Sequence, residues 1–143
     1  QLGAELLIEI LPAYMDGDLQ PRPQPEEGVT VVRRFPKSAA ELAWERAAVD
    51  LARRVRAFAP QPGAYTTWDG RRLKILQARA VASAEMPDAE PGVTFVWEDM
   101  PAVVTGEGAL LLLHLQMAGK RPMSGDAFLR GRREFEGAKL GSQ

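Results

Sequence analysis

The sequence contains no cysteine and a single histidine, His114, among its 143 residues. The missing thiols rule out a disulfide framework and fit a reducing, cytoplasmic setting. One imidazole and no thiolate leave a zinc site without its usual donors. Ser/His/Asp and Cys/His catalysis likewise have too few parts. Long apolar runs are also absent. The longest, Ala109 to Leu113, falls far short of the ~20 residues that span a bilayer. No basic patch with an apolar stretch and cleavage site marks a signal peptide, so no membrane partner is expected. Gly106-Glu107-Gly108 precedes a strand pattern and not a helix, which removes a phosphate-cradling loop. Glu98-Asp99 falls in an expected turn and reads as solvated. The chain reads as a binding or structural module that is not an enzyme by itself, and no cofactor or metal is assigned to it.

What is present is charge, segregated along the chain although the formal net charge is only −1. Residues 1–50 are mostly acidic. Residues 51–80 carry Arg53, Arg54, Arg56, Arg71, Arg72, Lys74 and Arg79 against Asp69 alone. Residues 81–119 hold six acids and no cation, and residues 120–143 turn basic again through Lys120, Arg121, Arg130, Arg132, Arg133 and Lys139. If the two basic blocks meet in space, they form a patch suited to phosphate. The alternative is a mixed, solvated surface.

Length allows one domain with or without an arm. Residues 1–36 read as that arm. Leu6, Leu7, Ile10 and Leu11 recur at helical spacing, and Pro12 and Gly17 mark the tail of a helix whose start is expected in preceding sequence. Prolines 21, 23 and 25 then indicate a semi-rigid linker, with a polyproline ligand as the lesser reading. Residues 37–63 read as a helical connector. Ser38 can cap a short helix through Leu42, and Ala48, Leu51, Ala52, Val55 and Phe58 make one apolar face of a second. Trp44 lies between them and packs underneath. Arg54 and Arg56 flank the stripe, and Pro60 and Pro62 stop it.

Residues 64–143 read as a β domain. Strand patterns flank Asp69-Gly70, a pair suited to a type I′ turn. Three further strands are expected around Val93–Trp97, Ala102–Thr105 and Ala109–Gln116. In the last, strict alternation sets Leu111, Leu113 and Leu115 on one face and Leu112 and His114 on the other. A lone histidine there reads as structural. Ser124 caps a last helix that ends at Gly131, with Asp126 in its first turn. The inventory is mainly β with helices: an OB-like five-stranded Greek-key barrel preceded by a helical linker. Such a barrel offers a strand face and loops to oligonucleotides or oligosaccharides. Only Tyr65 and Trp68 are candidates for base stacking, since Trp44, Phe58, Phe95 and Trp97 are assigned to the core. A cation-rich, aromatic-poor surface suits the backbone of folded A-form RNA. The candidate RNA-contacting cations are Arg53, Arg56, Arg71, Arg72, Lys74, Lys120, Arg121 and Arg130.

The strings "VRAFAPQPGAYT", "LKIL", "PGV", "TGEGALLLLHLQMAGKRPM", "FLRG" and "KLG" occur in this order. Together they resemble the carboxy-terminal domain of the methionyl-tRNA formyltransferase family. "GAELLIEILP" and "PQPEEGVT" resemble the helix and linker before it. The resemblance implies an OB-like fold. It also implies initiator methionyl-tRNA as partner, an amino-terminal catalytic domain in cis, and a monomer. 10-Formyltetrahydrofolate would be the co-substrate of the complete enzyme. The family's catalytic residues have no matching positions here, and His114 does not take their role. Lys120 and Arg121 would face the tRNA, kept there by Gly119 and Pro122. Two departures, Val31-Val32-Arg33-Arg34 and Ala43 before Trp44, bear on the path of the linker. The alternatives are the end domain of a related formyltransferase or formyltetrahydrofolate hydrolase acting on a small substrate, a purely structural barrel, and an unrelated protein-binding module.

Overall fold

Asp69 and Gly70 both take left-handed backbone, with φ of 48° and 66°, in the computed structural model of the chain. This is type I′ geometry, whose twist matches that of paired strands. β1 (Ala64–Trp68) therefore folds back on β2 (Arg71–Val81), with Trp68 opposite Arg71 and Ala64 opposite Ile75. Glu98 and Asp99, at φ 48° and 61°, join β3 (Thr94–Trp97) to β4 (Met100–Val104) in the same way. β5 (Ala109–Met117) follows the turn at Gly106–Gly108. The structure describes residues 2–32, 35–82 and 86–141. Arg33, Arg34 and Glu85, which enter the charge pattern above, lie outside them.

The strands run antiparallel in the order β1-β2-β5-β4-β3. Three hairpin-connected strands with β2 returning beside β5 make a Greek key. The mainly β fold with helices is as the sequence predicts, with one addition. A two-residue sixth strand, β6 (Met123–Ser124), pairs with His114 and Leu115 of β5. The outer strands β1 and β3 are linked by the segment 137–141. Thr94 donates its N–H to Ala138 and accepts from Gly137, Leu140 donates to Gly92, and Gly141 donates to Thr67 of β1. The Thr94 hydroxyl, buried, donates to the Phe135 carbonyl and reinforces the seam.

α2 (Ala48–Phe58) presents Ala48, Leu51, Ala52 and Val55 to the core, the face its spacing predicts. The short helix expected after Ser38 is instead a 3-10 turn, Lys37–Ala40, with no side-chain cap. The Arg54 guanidinium ties that turn to α2 by donating to the Ala39 carbonyl. Four residues give too few backbone bonds to hold an α-helix against this tertiary contact. Trp44 is buried, as predicted, and its Nε1 donates to the Thr66 hydroxyl at 3.1 Å. α3 (Gly125–Gly131) ends where expected, and a 3-10 turn, Arg133–Phe135, follows it. In the separate unit Gln1–Arg34, α1 (Leu2–Met15) continues three residues past Pro12 and buries none of its side chains within that unit.

Three side-chain expectations change. Strict alternation along the long strands fails, because the β2–β5 register shifts between Ile75 and Ala78. Leu76 and Leu113 are the inserted residues. The core-facing set thus passes from Leu73 and Ile75 to Ala78 and Ala80 on β2, and from Met117 and Leu115 to Leu112 and Leu110 on β5. Bulges of this kind bend a strand and raise its twist, which a small closed sheet requires. Trp68 is buried and not free to stack bases, since Phe128 and Phe135 meet it edge-on at ring separations of 5.7 and 4.9 Å. Phe95 and Trp97 are half-buried on the outer face of edge strand β3, not in the core.

The connection before α2 is fixed by close backbone approach at Gly106. Its N–H donates to the Trp44 and Arg46 carbonyls, and a Cβ there would lie 2.0 Å from the Glu45 carbonyl oxygen. Gly106→Ala is expected to cost roughly 2–3 kcal/mol, in the range of overpacking substitutions. Urea unfolding measures it, and an unchanged midpoint would contradict the close approach.

Candidate nucleic-acid interface

The hairpin register decides where the cations go. With Leu73 and Ile75 buried, Arg72 and Lys74 point to the outer face of the sheet. Lys74 stands opposite Tyr65 on β1 and Gln116 on β5, and Arg72 stands opposite Thr67. The Arg72 carbonyl accepts the Ala118 N–H at 3.0 Å, which brings the end of β5 alongside. There the chain turns: the Lys120 N–H donates to Met117, and Gln116 Nε2 donates to the Lys120 carbonyl at 2.9 Å. Gly119, at φ 73°, supplies the left-handed residue this turn needs. Lys120 and Arg121 emerge exposed beside the first hairpin. The two basic blocks, well separated in sequence, thus meet at one end of the sheet.

The eight candidate cations separate into two groups. Arg72, Lys74, Lys120 and Arg121 share the edge just described, and Arg71, exposed at the hairpin turn opposite Trp68, alternates to the other face. Arg56 is exposed on the last turn of α2, whose end reaches the same region through the Gly63–Phe58 backbone bond and the Lys74 stem, which a Cβ placed on Gly63 would meet at 3.5 Å. Among the described residues none of these six forms an ion pair. Arg53 lies at the other end of β2, beside Ala80 and Val81, and pairs with Asp50 at 3.0 Å. Arg130 pairs with Asp126 at 2.7 Å in a groove it shares with Asp99, Arg133 and Glu136, where charge of both signs is present. Both pairs sit at helical i,i+3 and i,i+4 spacings that the sequence carries openly.

Sequence reasoning had no direct signal for one contact. The Arg72 guanidinium carbon lies 4.0 Å from the centre of the Tyr65 ring. The two residues are diagonal neighbours across the hairpin, within reach on one face. His114 is exposed opposite Gln77 at the bulge and has no second titratable group paired with it across the strands. Among the described residues no cluster of metal-ligating side chains occurs, and no helix is long and apolar enough to cross a membrane.

Among the described residues Asp126 is the most perturbed acid. The Ser124 hydroxyl, the Arg130 guanidinium and the Ala127 N–H, in that order of weight, hold its carboxyl down to about 2. Ser124 stands at the N-cap position expected of it but makes no side-chain cap bond to the helix backbone. A depressed carboxyl pKa contributes stability above its unfolded value near 3.8, lost as pH falls through the folded one. Asp126→Asn is expected to flatten the pH dependence of unfolding between about pH 4 and 2. Parallel slopes for the two proteins in that window would contradict it.

The fold and edge define a small antiparallel β domain that carries a clustered basic surface, free of ion pairs among the described residues. The chain belongs to the formyl transferase C-terminal domain family, whose description matches residues 34–133. Its relatives include the methionyl-tRNA formyltransferases of Myxococcus xanthus, 42% identical over 96% of this chain, and Methylococcus capsulatus, 42% identical over 99% of it. That of Chloroflexus aurantiacus is 41% identical over 92%. The chain spans under half of these relatives, 42 to 45% of their lengths. Among solved structures, HypX from Aquifex aeolicus superposes with a TM-score of 0.68 at 21% identity, covering 91% of this chain and 23% of its own. A second HypX structure, in complex with tetrahydrofolic acid, gives 0.67 at 22% identity, covering 92% and 22%. At these identities the likeness is one of fold.

Proposed function

We propose that this chain is the tRNA-holding part of a methionyl-tRNA formyltransferase. Residues 64–143 form its OB-like binding domain, 37–63 the connector, and 1–36 the end of a catalytic-domain helix with its linker. The domain holds initiator methionyl-tRNA while a preceding domain in cis transfers a formyl group from 10-formyltetrahydrofolate to the methionine amine. The chain acts in the cytoplasm, as a monomer, in translation initiation. The chemistry and the folate site belong to the preceding domain, and this chain contributes position.

One observation carries the reading: the meeting of Arg72 and Lys74 with Lys120 and Arg121 at one edge, free of ion pairs among the described residues. A small formyl acceptor needs no such surface, whereas a polyanion is held by it through release of counterions. The names of the relatives point the same way. Phosphate contacts position without specifying, so discrimination among tRNAs is not expected of this domain. Fluorescence anisotropy of the 143-residue chain with unmodified tRNA, at low and at physiological salt, tests it. Binding that weakens steeply with salt is expected. No binding at low salt would overturn the proposal and leave a barrel that only supports its catalytic neighbour.

A further inference from the structure

We infer that Tyr65 is a positioning residue of this edge: its ring carries the Arg72 guanidinium so that the N–H fork faces an RNA phosphate. The inference rests on the RNA-holding reading and specifies which part of the RNA the edge takes, the sugar–phosphate backbone and not a base.

An exposed arginine samples many rotamers and loses that freedom on binding. Here the Cζ of Arg72 sits 4.0 Å from the Tyr65 ring centre, inside the range of cation–π attraction. Such a contact uses the π-face of the guanidinium and leaves its N–H groups, which lie in the plane, free for bidentate phosphate bonding. The platform is itself fixed. The Tyr65 carbonyl accepts the Leu42 N–H at 2.9 Å, Glu41 bridges to Tyr65 as a parallel strand partner, and the phenol oxygen lies 3.4 Å from Glu41 Oε2. Across the row, the Gln116 bond to the Lys120 carbonyl sets the neighbouring cation's backbone in the same manner. Arg72 also covers one face of the half-buried ring, and Trp68 is buried, so neither aromatic of this hairpin is open as a two-sided base platform. The chemistry that remains is fixed, closely spaced cationic donors, which fits the phosphates of a stacked stem.

A double-mutant cycle in the 143-residue chain tests this, with unmodified tRNA titrated at one low salt concentration and thermal unfolding recorded for each variant. Tyr65→Leu is expected to weaken binding about three- to fivefold, the value of an exposed cation–π contact. Tyr65→Phe keeps the ring and should stay within about twofold of the parent. In an Arg72→Ala background, Tyr65→Leu should cost nothing further, because the ring acts through the guanidinium. Should Tyr65→Leu unfold the chain, Tyr65→Val, favoured in strands, replaces it. Equal losses from Tyr65→Leu in both backgrounds would overturn the positioning role. So would a Tyr65→Phe variant as weak as Tyr65→Leu, which would assign the effect to the hydroxyl and Glu41. If Arg72→Ala weakens binding while Tyr65→Leu does not, the positioning role alone fails. If Arg72→Ala, Lys74→Ala and Lys120→Ala all bind as the parent does, the RNA-holding reading fails with it.

Discussion

Replacing Arg72, Lys74, Lys120 and Arg121 together by alanine is expected to weaken tRNA binding on the order of a hundredfold at low salt and to reduce the salt slope by up to about four. The reduction has a simple origin: each phosphate that no longer meets a cation keeps roughly one counterion that binding would otherwise release. Lys120→Ala with Arg121→Ala should remove up to about two units by the same rule. Arg53→Ala and Arg130→Ala are the informative controls. Each of those cations is already engaged by a carboxylate one helical turn away, at 3.0 and 2.7 Å. Their removal should change affinity by less than about twofold, since a cation neutralised in the free protein releases little on binding. Anisotropy titrations at several salt concentrations give both quantities. A four-residue variant with the parent's slope would show that this edge does not meet the RNA.

Trp44→Ala should destabilise the domain by about 3–5 kcal/mol, in the range for deletion of a buried tryptophan. Two costs combine. The indole is 3% exposed and packs in the main core cluster. Its Nε1 also satisfies the hydroxyl of Thr66, itself fully buried, which the substitution leaves without that donor. Trp44→Phe should recover most of the packing and not the hydrogen bond, and so fall between the two. Urea unfolding measures the series. At temperatures where the alanine variant remains folded, its salt slope with tRNA should match the parent's. A stable variant with a reduced slope would instead place Trp44 near the RNA.

The sequence carried the local rules well. Asp69-Gly70 sets the turn, and once 69 and 70 are the turn residues, counting outward pairs Trp68 with Arg71 and Tyr65 with Lys74. The diagonal placement of Tyr65 and Arg72 follows from that count, so their contact was within reach of the sequence although no motif announces it. The Asp50–Arg53 and Asp126–Arg130 pairs are likewise periodic. Non-local packing was beyond local pattern. Trp68 ends a strand beside a solvated turn, and only the arrival of Phe128 and Phe135 from much later in the chain buries it. The bulges at Leu76 and Leu113 depend on the curvature of a completed sheet, and a leucine suits either face. The 3-10 turn at Lys37–Ala40 is tied down by Arg54, which lies on the next helix, beyond the reach of any local pattern.

The seam formed by residues 137–141 has a consequence for how the domain reaches its folded state. Gly141 donates to Thr67 on one side while its neighbours bond Thr94 and Gly92 on the other. On a ribosome, β1 and its hairpin emerge long before that segment exists. Until it does, β3 lacks the partners of Thr94, and β1, already bonded at Tyr65 by Leu42, lacks its partner at Thr67, open groups of the kind that invite strand exchange with another nascent chain. Contacts of such long sequence separation are also late to form. Residues 137–141 thus close the sheet across its two outer strands, late in the order of synthesis of this chain.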